Sequence, residues 1–378
     1  MIDKLAPWGD SIFSVMTSKA REYGALNLAQ GFPDFPTDPE LIQQVNQAMQ
    51  TGYNQYAPAN GAMDLLLAIR NLIAGEYGVS LDEMSEITVV PGATYGIYAT
   101  MQALIHAGDE VIYIEPGYDS YAPSIFMAGG RPVPFPCYPP EFTMDWDRLE
   151  SLITPATRMI IFNNPNNPTG KVWSVAELER LGGIAEKHNL LVLSDEVYEF
   201  IRFTDDPHTP AYTIPALKER VITLSSFGKT LHVTGWKMGY VVAPAHYTAL
   251  IRKVNQFLVF CSNHPVQIGI ARYLHQRNLR SEVSGMYALK LELLRQSIEA
   301  SRFDALRCDG TYFLLLDYHR ITDEGSAAFA DRLVREHGIA TIPVSAFYSG
   351  GYEPHLLRIC FAKEDNTLIK AGQLLCTI

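Results

Sequence analysis

Positive charge is scarce in this sequence: 30 lysines and arginines stand against 41 acidic residues, a net charge of −11. A nucleic-acid or anionic-membrane surface needs clustered basic side chains, so neither partner is expected. Cysteine is scarcer still. The five copies (Cys137, Cys261, Cys308, Cys360, Cys376) are far apart and odd in number, with no Cys-x-x-Cys pair. That pattern argues against a zinc site or a disulfide framework, so no metal is expected, and a reducing, cytoplasmic setting fits best. No run of about eighteen apolar residues occurs, so no membrane span is expected. The opening residues, "MIDKLAPWGDSIF", carry acidic side chains and a proline where a secretory leader needs an apolar core. What is present is an ordinary globular composition, 47% apolar over 378 residues, enough chain for two or three domains.

Short apolar runs alternate with amphipathic segments through the middle of the chain. The runs are "EITVV" 86–90, "EVIYIE" 110–115, "RMIIFN" 158–163, "LLVLSDE" 190–196, "VITLSS" 221–226 and "GYVVAP" 239–244. Helical patterns lie between several of them, as at 94–106 and 174–188. Continuous apolar strands joined by helices predict a mostly parallel α/β sheet flanked by helices and buried on both faces. From about residue 281 the pattern changes. A helical stretch over 279–301 leads to "TYFLLLDY" 311–318, a helix near 326–337, "ATIPV" 340–344 and "HLLRICFA" 355–362. This predicts a smaller α+β domain of residues 281–378, joined by residues 1–45, beside a large domain spanning 46–280.

Three of the strands end in polar groups. "LLVLSDEVYEF" presents Asp195 and Tyr198, "RMIIFNNPNNPTG" ends in an Asn-Pro-rich loop, and "VITLSSFGK" delivers two hydroxyls, a glycine and Lys229. In a parallel sheet, ligands gather at the carboxyl ends of strands. Each group has a bland reading as well. An aspartate after a strand is often a helix cap, an Asn-Pro loop is often turn chemistry, and loop lysines are usually solvated. "GKT" 228–230 also invites a phosphate-loop reading, but Thr223 stands where that motif needs its first glycine. Together, in one chain and one order, these groups converge on a single ligand.

The ordered motifs "NLAQGFPDFPT" 27–37, "NQYAPANG" 54–61, "VVPGATYGIY" 89–98, "EPGYDSY" 115–121, "NNPNNPTG" 163–170, "SDEVYE" 194–199, "SSFGKT…TGWKMGY" 225–240 and "LLRICFAK" 356–363 resemble the class I/II aminotransferases that use pyridoxal 5'-phosphate. The resemblance is greatest to the methionine, kynurenine and glutamine aminotransferase branch. It covers nearly the whole chain and implies the fold type I architecture.

The resemblance also implies roles. Lys229 matches the lysine that bonds the cofactor and then moves the substrate's proton. Asp195 matches the partner of the pyridine nitrogen. Asn167 and Tyr198 match donors to the ring's phenolic oxygen, and Tyr118 matches the aromatic stacked on the ring. The amides of Ala93 and Thr94, the Ser226 hydroxyl and Lys237 match the phosphate site. At Lys237 many relatives carry arginine, so a bidentate fork is lost there. Tyr56 resembles a tyrosine shared across a homodimer interface. Arg358 matches the clamp on the substrate's α-carboxylate, with Asn167 and the backbone near Gly31 assisting. Phe32, Phe35 and Tyr53 are candidates for the side-chain pocket. The implied reaction is transfer of an amino group from an uncharged or aromatic amino acid (methionine, phenylalanine, tyrosine, glutamine or kynurenine, with methionine first) to a 2-oxo acid. The rivals are a carbon–sulfur β-lyase on the same scaffold and a non-catalytic cofactor-binding regulator. The regulator would need an added DNA-binding domain, for which the chain has no room.

Overall fold

A strand buried on both faces needs helices on both sides of its sheet, and the chain builds such a layer. The computed structural model describes residues 5–275 and 277–378. After β1 (Leu26–Asn27), a seven-stranded sheet contains β2 (Ile87–Val90), β3 (Glu110–Glu115), β4 (Arg131–Pro136), β5 (Thr157–Asn163), β6 (Leu191–Asp195), β7 (Val221–Ser226) and β8 (Gly239–Val242). The order is β2–β8–β7–β6–β5–β3–β4. The pairings from β4 through β7 are parallel, and only β8 runs antiparallel to its neighbours β7 and β2. The mostly parallel sheet is therefore as expected. Strand β4 was not foreseen, because "RPVPFP" holds three prolines. Proline cannot donate to a ladder, and β4 accommodates it by pairing on one side only, at the sheet edge.

Strands β7, β6 and β5 lie side by side and point the same way, so Ser226, Asp195 and Asn163 end on one edge. Register pairs Asn163 with Asp195 directly. The antiparallel β8 brings Gly239 opposite both Ser226 and Val90. A side chain at Gly239 would meet the Ser225 carbonyl at 2.6 Å, so the close approach requires glycine.

The helix Val175–Lys187 starts with a reciprocal capping box between Ser174 and Glu177. The helix Ala93–Leu104 starts differently. It follows Gly92 at φ +89°, and among the described residues no side chain caps its first amides. Those donors are left facing the sheet edge.

A second sheet holds β9 (Asp304–Ala305), β10 (Phe313–Asp317), β12 (Ile342–Pro343) and β13 (Leu356–Cys360), all antiparallel, while β11 (Ile339–Ala340) pairs with β1. The single strand expected over 340–344 is thus two short ones, drawn to different partners. Among the described residues, no helix is long and apolar enough to cross a membrane.

Candidate active site

The strand ends of the larger sheet and strand β13 of the smaller one face a common cavity of about 290 Å³. At its centre is Lys229, in the short helix Phe227–Thr230 that follows β7. Among the described residues its amine donates a single long hydrogen bond, 3.4 Å to the Gly31 carbonyl. Burial pushes its pKa from 10.5 down to about 8; nearby Cys360 and Asp195 oppose the shift, and the charges of Arg358 and Lys237 add to it. A buried amine of that acidity is an available nucleophile near neutral pH.

Asp195 closes the floor of the cavity. Burial raises its pKa to about 6, against a hydrogen bond of 2.7 Å from the Tyr121 hydroxyl and a weaker one from the Val197 amide. A cation set against this carboxylate would hold it ionised. The Asn163 side chain ties the floor to the next loop, donating to the Asp195 carbonyl at 2.7 Å and accepting the Asn167 amide at 2.6 Å. Tyr198 is buried beside Lys229, its pKa raised first by desolvation.

One end of the cavity is lined by Gly92, Ala93, Thr94, Ser226 and Lys237. These are the uncapped helix amides, a hydroxyl and an ammonium, a donor set suited to a dianion. A side chain at Gly92 would come within 3.4 Å of Lys237 Cε and Nζ. The Thr94 hydroxyl lies 3.2 Å from that of Tyr118, whose ring meets Tyr121 edge-on at 5.9 Å.

The opposite end belongs to Arg358, which is 1% exposed. Its guanidinium donates to Asn167 Oδ1 at 2.8 Å and to the Ala29 carbonyl at 2.9 Å, and lies 3.8 Å from the Phe313 ring centre and 4.9 Å from that of Phe13. Burial lowers its pKa to about 10, which leaves it charged at neutral pH. Among the described residues its buried Nε has no partner, and an unmatched buried donor marks a place for an acceptor.

The candidates read from the strand ends and helix start therefore come together, with Gly31 and Phe32 beside them. Three others do not line the cavity. Phe35 packs against His232 and Tyr287 in the core, Tyr53 packs against His264, and Tyr56 is 81% exposed with its ring against Phe260. Tyr121, Tyr312, Phe13 and Phe313 carry site geometry that sequence reasoning missed. Only "YDSY" 118–121 offered a signal, a second tyrosine one turn from the first.

A family model for aminotransferase class I and II matches residues 23–372. A methionine aminotransferase of Escherichia coli (strain K12) is 41% identical over 373 residues, covering 98% of this chain and 97% of that protein. A kynurenine–oxoglutarate transaminase of Dictyostelium discoideum is 33% identical, covering 96% of this chain and 93% of the other. Among solved structures, an E. coli protein described as having a methionine aminotransferase function superposes with a TM-score of 0.98 at 40% identity, covering 100% and 99% of the two chains.

Proposed function

The chain belongs to the class I and II aminotransferases, a family whose members use pyridoxal 5'-phosphate, and we propose that it moves the amino group of uncharged or aromatic L-amino acids, methionine foremost, to a 2-oxo acid. One observation carries the donor class. At the Arg358 end the walls are Phe13, Phe32 and Phe313, and among the described lining residues the other cations, Lys229 and Lys237, lie at the centre and the far end. An acidic side chain would find no second guanidinium there. Methionine is favoured by likeness to the E. coli methionine aminotransferase.

The residues present fit the cofactor. The uncapped amides and Lys237 make a cradle in which a Gly92 side chain would crowd the ammonium, and Asp195 is a buried carboxylate whose pKa burial raises to about 6 despite the charge of Lys229. Ala93, Thr94, Ser226 and Lys237 would hold the phosphate, Asp195 the ring nitrogen, Asn167 and Tyr198 the ring oxygen, and Tyr118 the ring face. When bound, the cofactor supplies an aldehyde and a protonated ring able to draw electrons from the substrate's α-carbon. Lys229 would hold the aldehyde, and its Nζ, when free, would be the base that takes the substrate's Cα proton. Arg358 has N–H groups left for the substrate's carboxylate, and its fork suits that anion. The Asn167 Oδ1 that accepts from Arg358 leaves the amide NH₂ of Asn167 free to donate.

Family members are typically dimers, and we read Tyr56 as reaching the phosphate of a second copy. Support comes from exposed Tyr56, Phe257 (84%) and Phe260 (42%), apolar surface of the kind that interfaces cover. If a Tyr56→Ala protein keeps its cofactor affinity in an intact dimer, that reading fails. We further divide the chain into a large unit, 46–280, and a small one, 1–45 with 281–378, because β1 pairs with β11 rather than with the larger sheet. Hydrogen exchange should then show two cooperative sets of amides; one set would merge the units.

The central test is single-turnover spectroscopy of the cofactor-loaded protein with methionine and no 2-oxo acid. Conversion of the lysine-bound absorbance band, with one equivalent of 2-oxo acid released, is expected. Thiol release from a cysteine conjugate without that conversion would instead favour the β-lyase. A Lys229→Ala protein with full turnover would sink the mechanism.

A further inference from the structure

The reacting amine has a buried neighbour with no role so far. Tyr312, just before β10, is fully buried and donates its hydroxyl to the Gly31 carbonyl at 2.8 Å. Lys229 Nζ reaches the same carbonyl at 3.4 Å. The amine lies 5.7 Å from the centre of the Tyr312 ring and 5.8 Å from that of Tyr198, and the two rings meet edge-on at 5.3 Å. One acceptor thus serves two donors, one of them the amine that must leave to do chemistry.

The backbone that delivers Tyr312 is strained. Thr311 has φ +67°, in a region where a β-branched residue is an outlier. Bonds on every side fix it there. The Thr311 amide donates to the Ile201 carbonyl at 2.8 Å, the Asp309 and Gly310 amides donate to the Gly170 carbonyl at 3.0 and 2.9 Å, and the Phe313 amide donates to Thr311 Oγ1 at 3.1 Å. A side chain at Gly310 would strike Pro165 at 2.7 Å. Strain that the surroundings over-determine points to a positioning task.

The strap Ala29–Phe32, which lies along the amino-acid end, is held by its carbonyls. Arg358 takes that of Ala29, Tyr312 and Lys229 that of Gly31, and Lys363 Nζ that of Phe32 at 2.8 Å. Resting on the transaminase reading, we propose that Tyr312 is a positioning residue that keeps this strap, and with it the amino-acid site, in one place when Lys229 withdraws. A secondary consequence follows for Lys229. It is faced by Asp195 from β6, Tyr198 beyond it, Lys237 ahead of β8, and Arg358 and Cys360 from β13. Removing the Tyr312 hydroxyl alters none of these charges, but leaves the Gly31 carbonyl to the ammonium, which favours the protonated amine.

The test is Tyr312→Phe, which keeps the ring and removes the donor. In the cofactor-free protein, the pH midpoint of Lys229 labelling by an amine-reactive reagent, read by peptide mass spectrometry, should rise by about half a unit. In the loaded enzyme, KM for methionine should rise about fivefold while kcat stays within about twofold. Thr311→Gly, which relaxes the backbone and keeps the phenol, should move both in the same directions by less, and decides alone if Tyr312→Phe does not fold. A folded variant in which either readout stays at the wild-type value overturns the proposal, as does a loss of melting temperature with both readouts unmoved. The labelling midpoint needs neither cofactor nor substrate. A shifted midpoint in a protein that never accepts methionine therefore faults the donor assignment, leaving the role of Tyr312 to be read as KM for whichever donor is competent.

Discussion

The two ends of the cavity are built to meet anions in opposite ways. At one end, Lys237 is an exposed side chain on a left-handed residue (φ +52°), and the donors beside it are half-buried backbone amides of a helix start together with the Ser226 hydroxyl. At the other, Arg358 is sealed in, bonded to Asn167 and Ala29, and faced by Phe313 and Phe13. Main-chain donors are set by helix geometry, so that end tolerates a change of side chain. The guanidinium end depends on one planar fork, held by the loops that follow β5 and β1. The first end gives retention and the second gives selection.

The largest effect expected from this contrast is at Arg358. Arg358→Lys should lower kcat/KM for the amino acid about 1000-fold, on the order of 4 kcal/mol, with cofactor affinity unchanged. Parallel loss of cofactor binding in equilibrium dialysis would break the independence of the two ends. Next is the amine between them. Its folded pKa of about 8 lies below the unfolded 10.5, so the unfolded chain binds more protons between those values. The penalty for burying the amine is full below pH 8 and fades as pH rises toward 10.5, a gain of about 3 kcal/mol in the cofactor-free protein. Urea unfolding from pH 7 to 10 should show that slope relative to Lys229→Met; coincident pH dependences would mean the amine is not desolvated. Lys237→Ala should weaken cofactor binding about tenfold, on the order of 1.4 kcal/mol, and leave kcat nearly intact at saturating cofactor. A large fall in kcat would make Lys237 more than a counter-charge. Smallest is Lys237→Arg, for which a change of about twofold or less is expected. A gain of tenfold would show that the fork, not the amides, limits this end.

The parts of the site legible in the sequence are those carried by local pattern. β5, β6 and β7 announce themselves as apolar runs, and parallel strands put Asn163, Asp195 and Ser226 on one edge as a matter of topology. Gly92 marks the open helix start in the same way. β4 was hidden because proline argues against a strand except at an edge, and edge position is a property of the finished sheet. Tyr121 and Tyr312 were hidden for a related reason. Tyr121 meets Asp195 across 74 positions and Tyr312 meets Gly31 across 281, and no local periodicity encodes such pairs. Phe35, inside a recognisable motif, and Tyr53, immediately before one, show the converse: aromatic residues that pack away from the cavity.

The strap from Ala29 to Phe32 is fastened through its main chain, by carbonyls of Ala29, Gly31 and Phe32 and by the Ala29 and Gln30 amides on Asn27 Oδ1, groups that nearly every residue type carries. Its side chains are therefore interchangeable parts on a fixed bracket. Gln30 and Phe32 line the cavity and are attached through their main chains, the Gln30 amide to Asn27 Oδ1 and the Phe32 carbonyl to Lys363, whereas at Gly31 a Cβ would strike the Phe313 ring at 2.7 Å. Substrate range can consequently be retuned at positions 30 and 32 while the reacting groups on the strand ends stay untouched, so the loop is a place where mutation can explore new donors at little risk to the chemistry.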